Sequence, residues 1–302
     1  MLHDVMVVGG SFAGLAAATQ LGRARRSVVV IDAGQPRNRF SPAAHGILAH
    51  DGRPPAEILG QALRELERYD TVRLVQNVGV SAEAVDEAFR LTLQDGRTVM
   101  GKQLILAYGV RDILPELPGL SERWGHTVLH CPYCHGFELD QQPMGVLARN
   151  ETAFHAAMLL PDWGPTTLFT QGEFEPTEEQ RLALAARGAR IETTPVVGLL
   201  GNAPGLEGVC LQDGRVIRMS GLFVAPLLQP SADLAQQLGC TMATGPMGEL
   251  VEVDPMQRTS RAGVYAAGDL ASAMSNATLS AAAGIRAAAS AHFALVFGPA
   301  HG

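Results

Sequence analysis

A short apolar run at residues 5–8 ends directly in Gly9-Gly-Ser-Phe-Ala-Gly14, and this junction constrains the fold more than any other feature of the chain. An Ala-rich helical stretch follows to about Arg25, and a second apolar run at residues 27–31 ends at Asp32. Strand, glycine turn, helix and strand in that order form a βαβ unit. Gly9 permits a tight turn and Gly14 a close helix–strand approach. The helix N-terminus, opened by Ser11, Phe12 and Ala13, offers backbone N–H groups and positive dipole to a pyrophosphate. Asp32 is placed to accept from a ribose hydroxyl. Ser11 stands where the usual middle glycine would be, narrowing the room for phosphate while keeping a small residue. A packed turn without a ligand is the competing reading, and the motif alone does not choose FAD over NAD(P).

The module recurs. Leu91-Thr-Leu-Gln-Asp-Gly-Arg-Thr-Val99 and Val209-Cys-Leu-Gln-Asp-Gly-Arg-Val216 both read as Asp-Gly hairpins, each followed by an apolar strand, at residues 104–107 and 222–225. Two α/β nucleotide-binding-like domains follow, which suits 302 residues with 47% hydrophobic content. The Pro/Gly-rich segment Leu114-Pro-Glu-Leu-Pro-Gly119 is a candidate hinge between them.

A net charge of -7 without a Lys/Arg block argues against nucleic acid and anionic membrane surfaces as partners. No apolar stretch reads as long enough to span a bilayer, and the N-terminus reads as a buried strand rather than a signal peptide. The expected compartment is therefore the reducing cytoplasm, where a close cysteine pair is catalytic or metal-binding more often than structural. His130-Cys-Pro-Tyr-Cys-His-Gly136 contains such a pair, Cys131 and Cys134. A structural zinc site usually needs four ligands, and Cys210 and Cys240 form no second close pair, so a redox role is expected and no metal. Those two cysteines read as small buried residues.

Near the C-terminus, Gly263-Val-Tyr-Ala-Ala-Gly-Asp269 reads as a strand and an acidic turn, followed by an Ala-rich helix over about residues 278–293. With Gly9 to Gly14, Leu106-Ala-Tyr-Gly109, Cys131-Pro-Tyr-Cys134 and Gly268-Asp269 in this order, the chain resembles the low-molecular-weight thioredoxin reductase family from end to end. It is most similar to the branch holding the gliotoxin-type and holomycin-type dithiol oxidases. The resemblance implies a two-domain flavoprotein disulfide reductase fold. An FAD-binding domain would comprise residues 1–113 and 244–302, and a smaller inserted domain, residues 114–243, would carry the cysteines. It further implies that Asp32, Gly268 and Asp269 hold FAD with the glycine turn and with Ala107 and Gly109. Arg37, Asn38, His45 and Asp51 would line the isoalloxazine, Cys134 would face the flavin and Cys131 the substrate. Relatives are homodimers, so a homodimer is expected.

The second domain departs from that family. After the strand at residues 144–147, Ala148, Arg149 and Asn150 replace glycines, adding Cβ atoms where backbone must approach a pyrophosphate. Gln171-Gly172-Glu173 stands where reductases place a His and two Arg for the 2′-phosphate, and a carboxylate there repels it. An unusual turn with Arg149 as phosphate ligand is the alternative. Without NADPH, a coherent reaction is oxidation of a small dithiol or a thioredoxin-like protein through Cys131 and Cys134, with electrons passing to FAD and on to dioxygen.

His135 stands where reductases carry an Asp and is the candidate proton carrier, with His130 second. Trp124 and Tyr133 are read as groove lining or packing, and Arg181, Arg187 and Arg190 as a solvated face. Three other readings stay open: an NADPH-dependent reductase with an atypical site, a ferredoxin-dependent reductase, and a flavin redox sensor without turnover.

Overall fold

In the computed structural model, which describes residues 1–274 and 276–298, the apolar runs become the middle strands of parallel sheets. The chain divides into two compact units, one of Met1–Arg39, Ala56–Asp112 and Leu228–Gly302, the other of Phe40–Pro55 and Ile113–Leu227.

In the first unit, Leu2–Val8 pairs in parallel with Val28–Asp32 on one side and Thr98–Leu106 on the other, and Val72–Gln76 continues the sheet. The long strand Thr98–Leu106 has two neighbours along its second edge. Its start closes the Asp-Gly hairpin with Ala88–Leu93, and its end takes Val264–Ala266 in parallel. Because successive side chains point to opposite faces, Val5 and Val7 enter one core and Met6 and Val8 another. The first core is filled by the helix Phe12–Arg23 and the last helix, Ala277–Phe297, through Ala13, Ala17, Leu21, Ala283, Ala287 and Ala291.

That last helix corrects one expectation. At 21 residues and mean hydropathy 1.3 it is long and apolar enough, by length and composition, to cross a membrane. Its alanine stripe lies in the core, and Asn276 caps its start by accepting from the Leu279 N–H at 2.8 Å.

The second unit repeats the plan in smaller form. Its parallel sheet runs in the order Arg190–Glu192, Thr166–Phe169, Met144–Leu147, Gly221–Val224, Val128–Leu129. The second Asp-Gly hairpin joins Gly208–Leu211 to Val216–Arg218 within a separate antiparallel sheet with Val196–Leu200. Here the hairpin strand stops before the next parallel strand, whereas in the first unit the two are continuous.

The observed boundaries differ from those expected. Residues 228–243 join the first unit because Leu234, Ala235, Leu238 and Cys240 pack with Leu91, Leu93 and Leu104. Phe40–Pro55 joins the second. The hinge candidate at residues 114–119 is tied into the second unit: Leu114 and Leu117 pack on its core, and the buried Arg123 guanidinium donates to the carbonyls of Gly119, Gly201 and Gly205.

Candidate functional site

The glycine turn of the first unit leaves a cradle. Gly9 has φ +109°, and a Cβ there would lie 2.2 Å from the Ala107 carbonyl oxygen. A Cβ on Gly14 would meet the Gly9 carbonyl oxygen at 1.7 Å, so both positions exclude any side chain. Ser11 precedes the helix Phe12–Arg23 and makes no side-chain cap bond. The first-turn N–H groups of that helix therefore have no Ser11 cap and, with the helix dipole, suit an anion. Asp32 Oδ1 accepts from the Gly10 N–H at 2.9 Å, which fixes its carboxylate over the turn. A cleft of about 400 Å³ lined by Ala33, Gln76, Asn77 and Asp95 opens past the end of the same strand.

The pairing of Arg37 with Asp112 and Asp269 in this unit was not visible in the sequence. Arg37, in the single turn Arg37–Phe40 that also holds Asn38, donates from Nε to Asp112 Oδ1 and Oδ2 at 3.1 Å each and from Nη1 to Asp269 Oδ2 at 2.8 Å. Asp269 Oδ1 also accepts from Ser280 Oγ at 3.2 Å. Burial works against the guanidinium charge, but the two carboxylates more than offset it and raise the Arg37 pKa above the ordinary arginine value. Arg37 thus orients Asp269, and Asp112 orients Arg37. Ala107 and Gly109 flank Tyr108, whose hydroxyl oxygen accepts from the Ala235 N–H at 3.3 Å. The glycine cradle, the helix start and the fixed carboxylates together fit a dinucleotide.

In the second unit, Cys131 and Cys134 form a disulfide with Cα atoms 5.3 Å apart. Cys131 is the extended residue before the short helix Pro132–His135, and Pro132 occupies its first turn, where a missing N–H costs nothing. The Cys134 N–H reaches the Cys131 carbonyl at 3.2 Å, so local backbone geometry presents the pair. Tyr133 and Phe137 are 72% and 84% exposed, one helical turn apart, and the Tyr133 ring meets Trp163 edge-on at 5.3 Å. His130 stacks on buried Trp124 at 5.9 Å, so Trp124 serves as packing.

Burial lowers the His135 pKa from the ordinary imidazole value; Glu138 acts to raise it and His45 to lower it. His45 Nδ1 lies 3.3 Å from Glu138 Oε1 and 3.7 Å from Asp51 Oδ1. His50 Nδ1 is buried without a hydrogen-bond partner among the described residues. The residues expected around the flavin ring are therefore divided, with Arg37 and Asn38 in the first unit and His45 and Asp51 in the second.

The second nucleotide turn is closed on itself. Arg149 Nη1 donates to the Ile113 carbonyl at 2.7 Å, and Asn150 Oδ1 accepts from the Thr152 N–H at 2.9 Å and from its hydroxyl. Gln171 bridges the Val196 backbone, accepting from its N–H at 2.6 Å and donating to its carbonyl at 3.2 Å. Glu173, two residues on, is exposed.

Asp112 and Glu138 are the residues that sequence reasoning missed. Neither lies in a motif. Glu138 alone left a trace, as an acid three residues after His135.

A family model described as pyridine nucleotide-disulphide oxidoreductase matches residues 3–154 and 171–290. Among curated relatives, thioredoxin reductase sirT of Leptosphaeria maculans is 31% identical, covering 97% of this chain and 94% of the relative. Among solved structures, the oxidoreductase from Agrobacterium tumefaciens is 46% identical with a TM-score of 0.95, covering 98% of this chain and 99% of the other. HlmI is 36% identical with a TM-score of 0.90, covering 97% and 92%. The cradle in the first unit, the cysteine pair in the second and these matches agree: the chain belongs to the pyridine nucleotide-disulphide oxidoreductase family, as a thioredoxin reductase-like FAD-dependent oxidoreductase that acts on sulfur groups.

Proposed function

We propose that the protein oxidises a small dithiol to its disulfide through Cys131 and Cys134, independently of NADPH. The second turn carries this reading: it lacks the glycines that let a pyrophosphate approach, and Arg149, Asn150 and Gln171 are engaged inside the unit. A substrate thiolate attacks Cys131 Sγ, forming a mixed disulfide and releasing Cys134 as thiolate. The second substrate thiol then attacks the sulfur of its own mixed disulfide, and the product leaves with both cysteines reduced. His135 takes up a thiol proton; its lowered pKa keeps it neutral, and so able to accept, at neutral pH. FAD, when bound, supplies the two-electron sink that returns the pair to its disulfide, with dioxygen as the final acceptor and peroxide as its product.

In this reading Asp32, Gly268, Asp269 and the turn residues Gly9, Ser11, Phe12, Ala13 and Gly14 hold FAD, together with Ala107 and Gly109. The exposed rings of Tyr133 and Phe137 suit an apolar dithiol. The protein works in the cytoplasm as a homodimer. A second reading, NADPH-dependent reduction of a thioredoxin-like protein, is favoured by the family description and by the names of the relatives.

One anaerobic titration separates the two. Dithiothreitol is expected to bleach the flavin and air to restore it with peroxide release, while NADPH leaves it oxidised. Rapid bleaching by micromolar NADPH would overturn the proposal.

A further inference from the structure

The peptide that walls the glycine cradle of the first unit lies just past the end of a strand. Ala107 still meets the sheet, since its N–H donates to the Val8 carbonyl at 2.8 Å, but Tyr108 and Gly109 fall between the strands Thr98–Leu106 and Val110–Ile113. Their position matters to the turn. A Cβ built on Gly9 meets the Ala107 carbonyl carbon at 2.5 Å and the Tyr108 nitrogen at 2.9 Å, so this one peptide packs directly on the cradle.

Two bonds from a distant stretch hold this pair of residues. The Ser231 N–H donates to the Gly109 carbonyl at 3.1 Å, and the Ala235 N–H donates to the Tyr108 hydroxyl oxygen at 3.3 Å. Both donors lie at the start of, or just before, the short helix Leu234–Gln237, in the stretch that sequence placed in the other domain. That stretch is itself fixed. Leu234 and Ala235 are fully buried and pack with Leu91, Leu93 and Leu104. Gln237 ties its far end to a neighbouring strand, accepting from the Ala82 N–H at 2.8 Å and donating to the Val80 carbonyl at 3.3 Å. Burial pushes the Tyr108 pKa up, so its hydroxyl stays neutral and the bond joins two uncharged groups.

We infer that Tyr108 is a positioning residue for the flavin dinucleotide: through its hydroxyl, residues 231–238 buttress the Ala107–Tyr108 peptide against the Gly9 turn. The role rests on the reading that this turn, Ala107 and Gly109 hold FAD. A binding shell is only as exact as the groups that fix it from behind, and a peptide that drifts from Gly9 reshapes the cradle while the apolar core stays intact.

Release of FAD from the holoprotein is the test, read as flavin fluorescence recovered after dilution into flavin-free buffer. Tyr108→Phe removes the hydroxyl and keeps the ring; loss of one hydrogen bond between neutral groups is expected to speed release about fivefold. Leu93→Val is the control. Leu93 belongs to the same core but stands at the hairpin that opens the strand Thr98–Leu106, whereas Ala107 follows its other end. It is expected to lower the melting temperature at least as far as Tyr108→Phe does and to leave release at the wild-type rate. Wild-type release by Tyr108→Phe overturns the inference. So does release speeded equally by Leu93→Val, because stability alone would then set retention. Where Tyr108→Phe yields no folded holoprotein, Gln237→Ala, which unties the buttress from residues 80 and 82, decides in its place: faster release supports the inference and wild-type release overturns it. Failure of the parent reading looks different: Gly9→Val that keeps FAD and releases it at the wild-type rate shows that the cofactor is not held at this turn, and this inference falls with it.

Discussion

The two nucleotide-type turns sit on the same scaffold, each following a buried strand in the middle of a parallel sheet, and they treat their polar groups in opposite ways. In the first unit the turn is built from glycines that admit no Cβ. In the second, the equivalent turn spends its side chains on its own surroundings: Arg149 on the Ile113 carbonyl, Asn150 on Thr152, and Gln171 on Val196 across the sheet end. The apolar strands that define the fold survive in both. A nucleotide fold is therefore held by what is buried, while a nucleotide site is held by missing Cβ atoms, and a chain can keep the first while giving up the second.

The sharpest way to break this contrast is to fill the open turn. Gly9→Val forces a side chain onto the Ala107 carbonyl at a positive φ; it is expected to abolish FAD retention and cost about 3 kcal/mol or more, read from the flavin absorbance of purified protein and from denaturant unfolding. Next comes the hidden support of the first unit. Asp112→Ala leaves the partly buried Arg37 with Asp269 alone, and a loss of about 2–3 kcal/mol is expected with roughly tenfold weaker FAD binding by fluorescence titration.

Opening the closed turn has a smaller effect. Replacing Ala148, Arg149 and Asn150 together with glycine lowers stability by about 1–2 kcal/mol and leaves FAD content unchanged, and NADPH still fails to bleach the flavin because Gln171 and Glu173 remain. NADPH bleaching by that triple variant would show that the glycines alone decide.

The smallest effect is one of pH. Burial places the His135 pKa below that of a free imidazole, so as pH falls past the ordinary value the unfolded chain takes up the proton first. Stability attributable to this group is complete above that value and is lost through the window down to the lowered folded value. Melting temperature should therefore fall more steeply across that window for the wild type than for His135→Asn.

The sequence made much of this legible because the informative signals are local. The Gly9–Gly14 turn, the two Asp-Gly hairpins and the Cys131–Cys134 spacing each lie within a few residues, and strand and turn periodicity report such features directly. The replaced glycines at 148–150 were readable for the same reason. What the sequence hid depends on separation along the chain: Arg37 meets Asp112 across 75 residues and Asp269 across 232, and no periodicity encodes such a pairing. The same cause hides the packing of residues 228–243, since Leu234 and Leu238 look like any amphipathic stretch until Leu91 and Leu93 are seen against them. His45 was grouped with the flavin by its position in the motif order, and its contact with Glu138 belongs to the fold of the loop.

The packing of the first helix against the last also orders events during synthesis. Phe12–Arg23 leaves the ribosome early, yet the partner that completes its core is Ala277–Phe297, far along the chain. The second unit's sheet is complete once Gly221–Val224 has emerged. A chain cut before Ala277 therefore leaves the inner face of Phe12–Arg23 without its partner while every strand of the second unit's sheet is present, so such a cut is expected to disturb the first unit before the second.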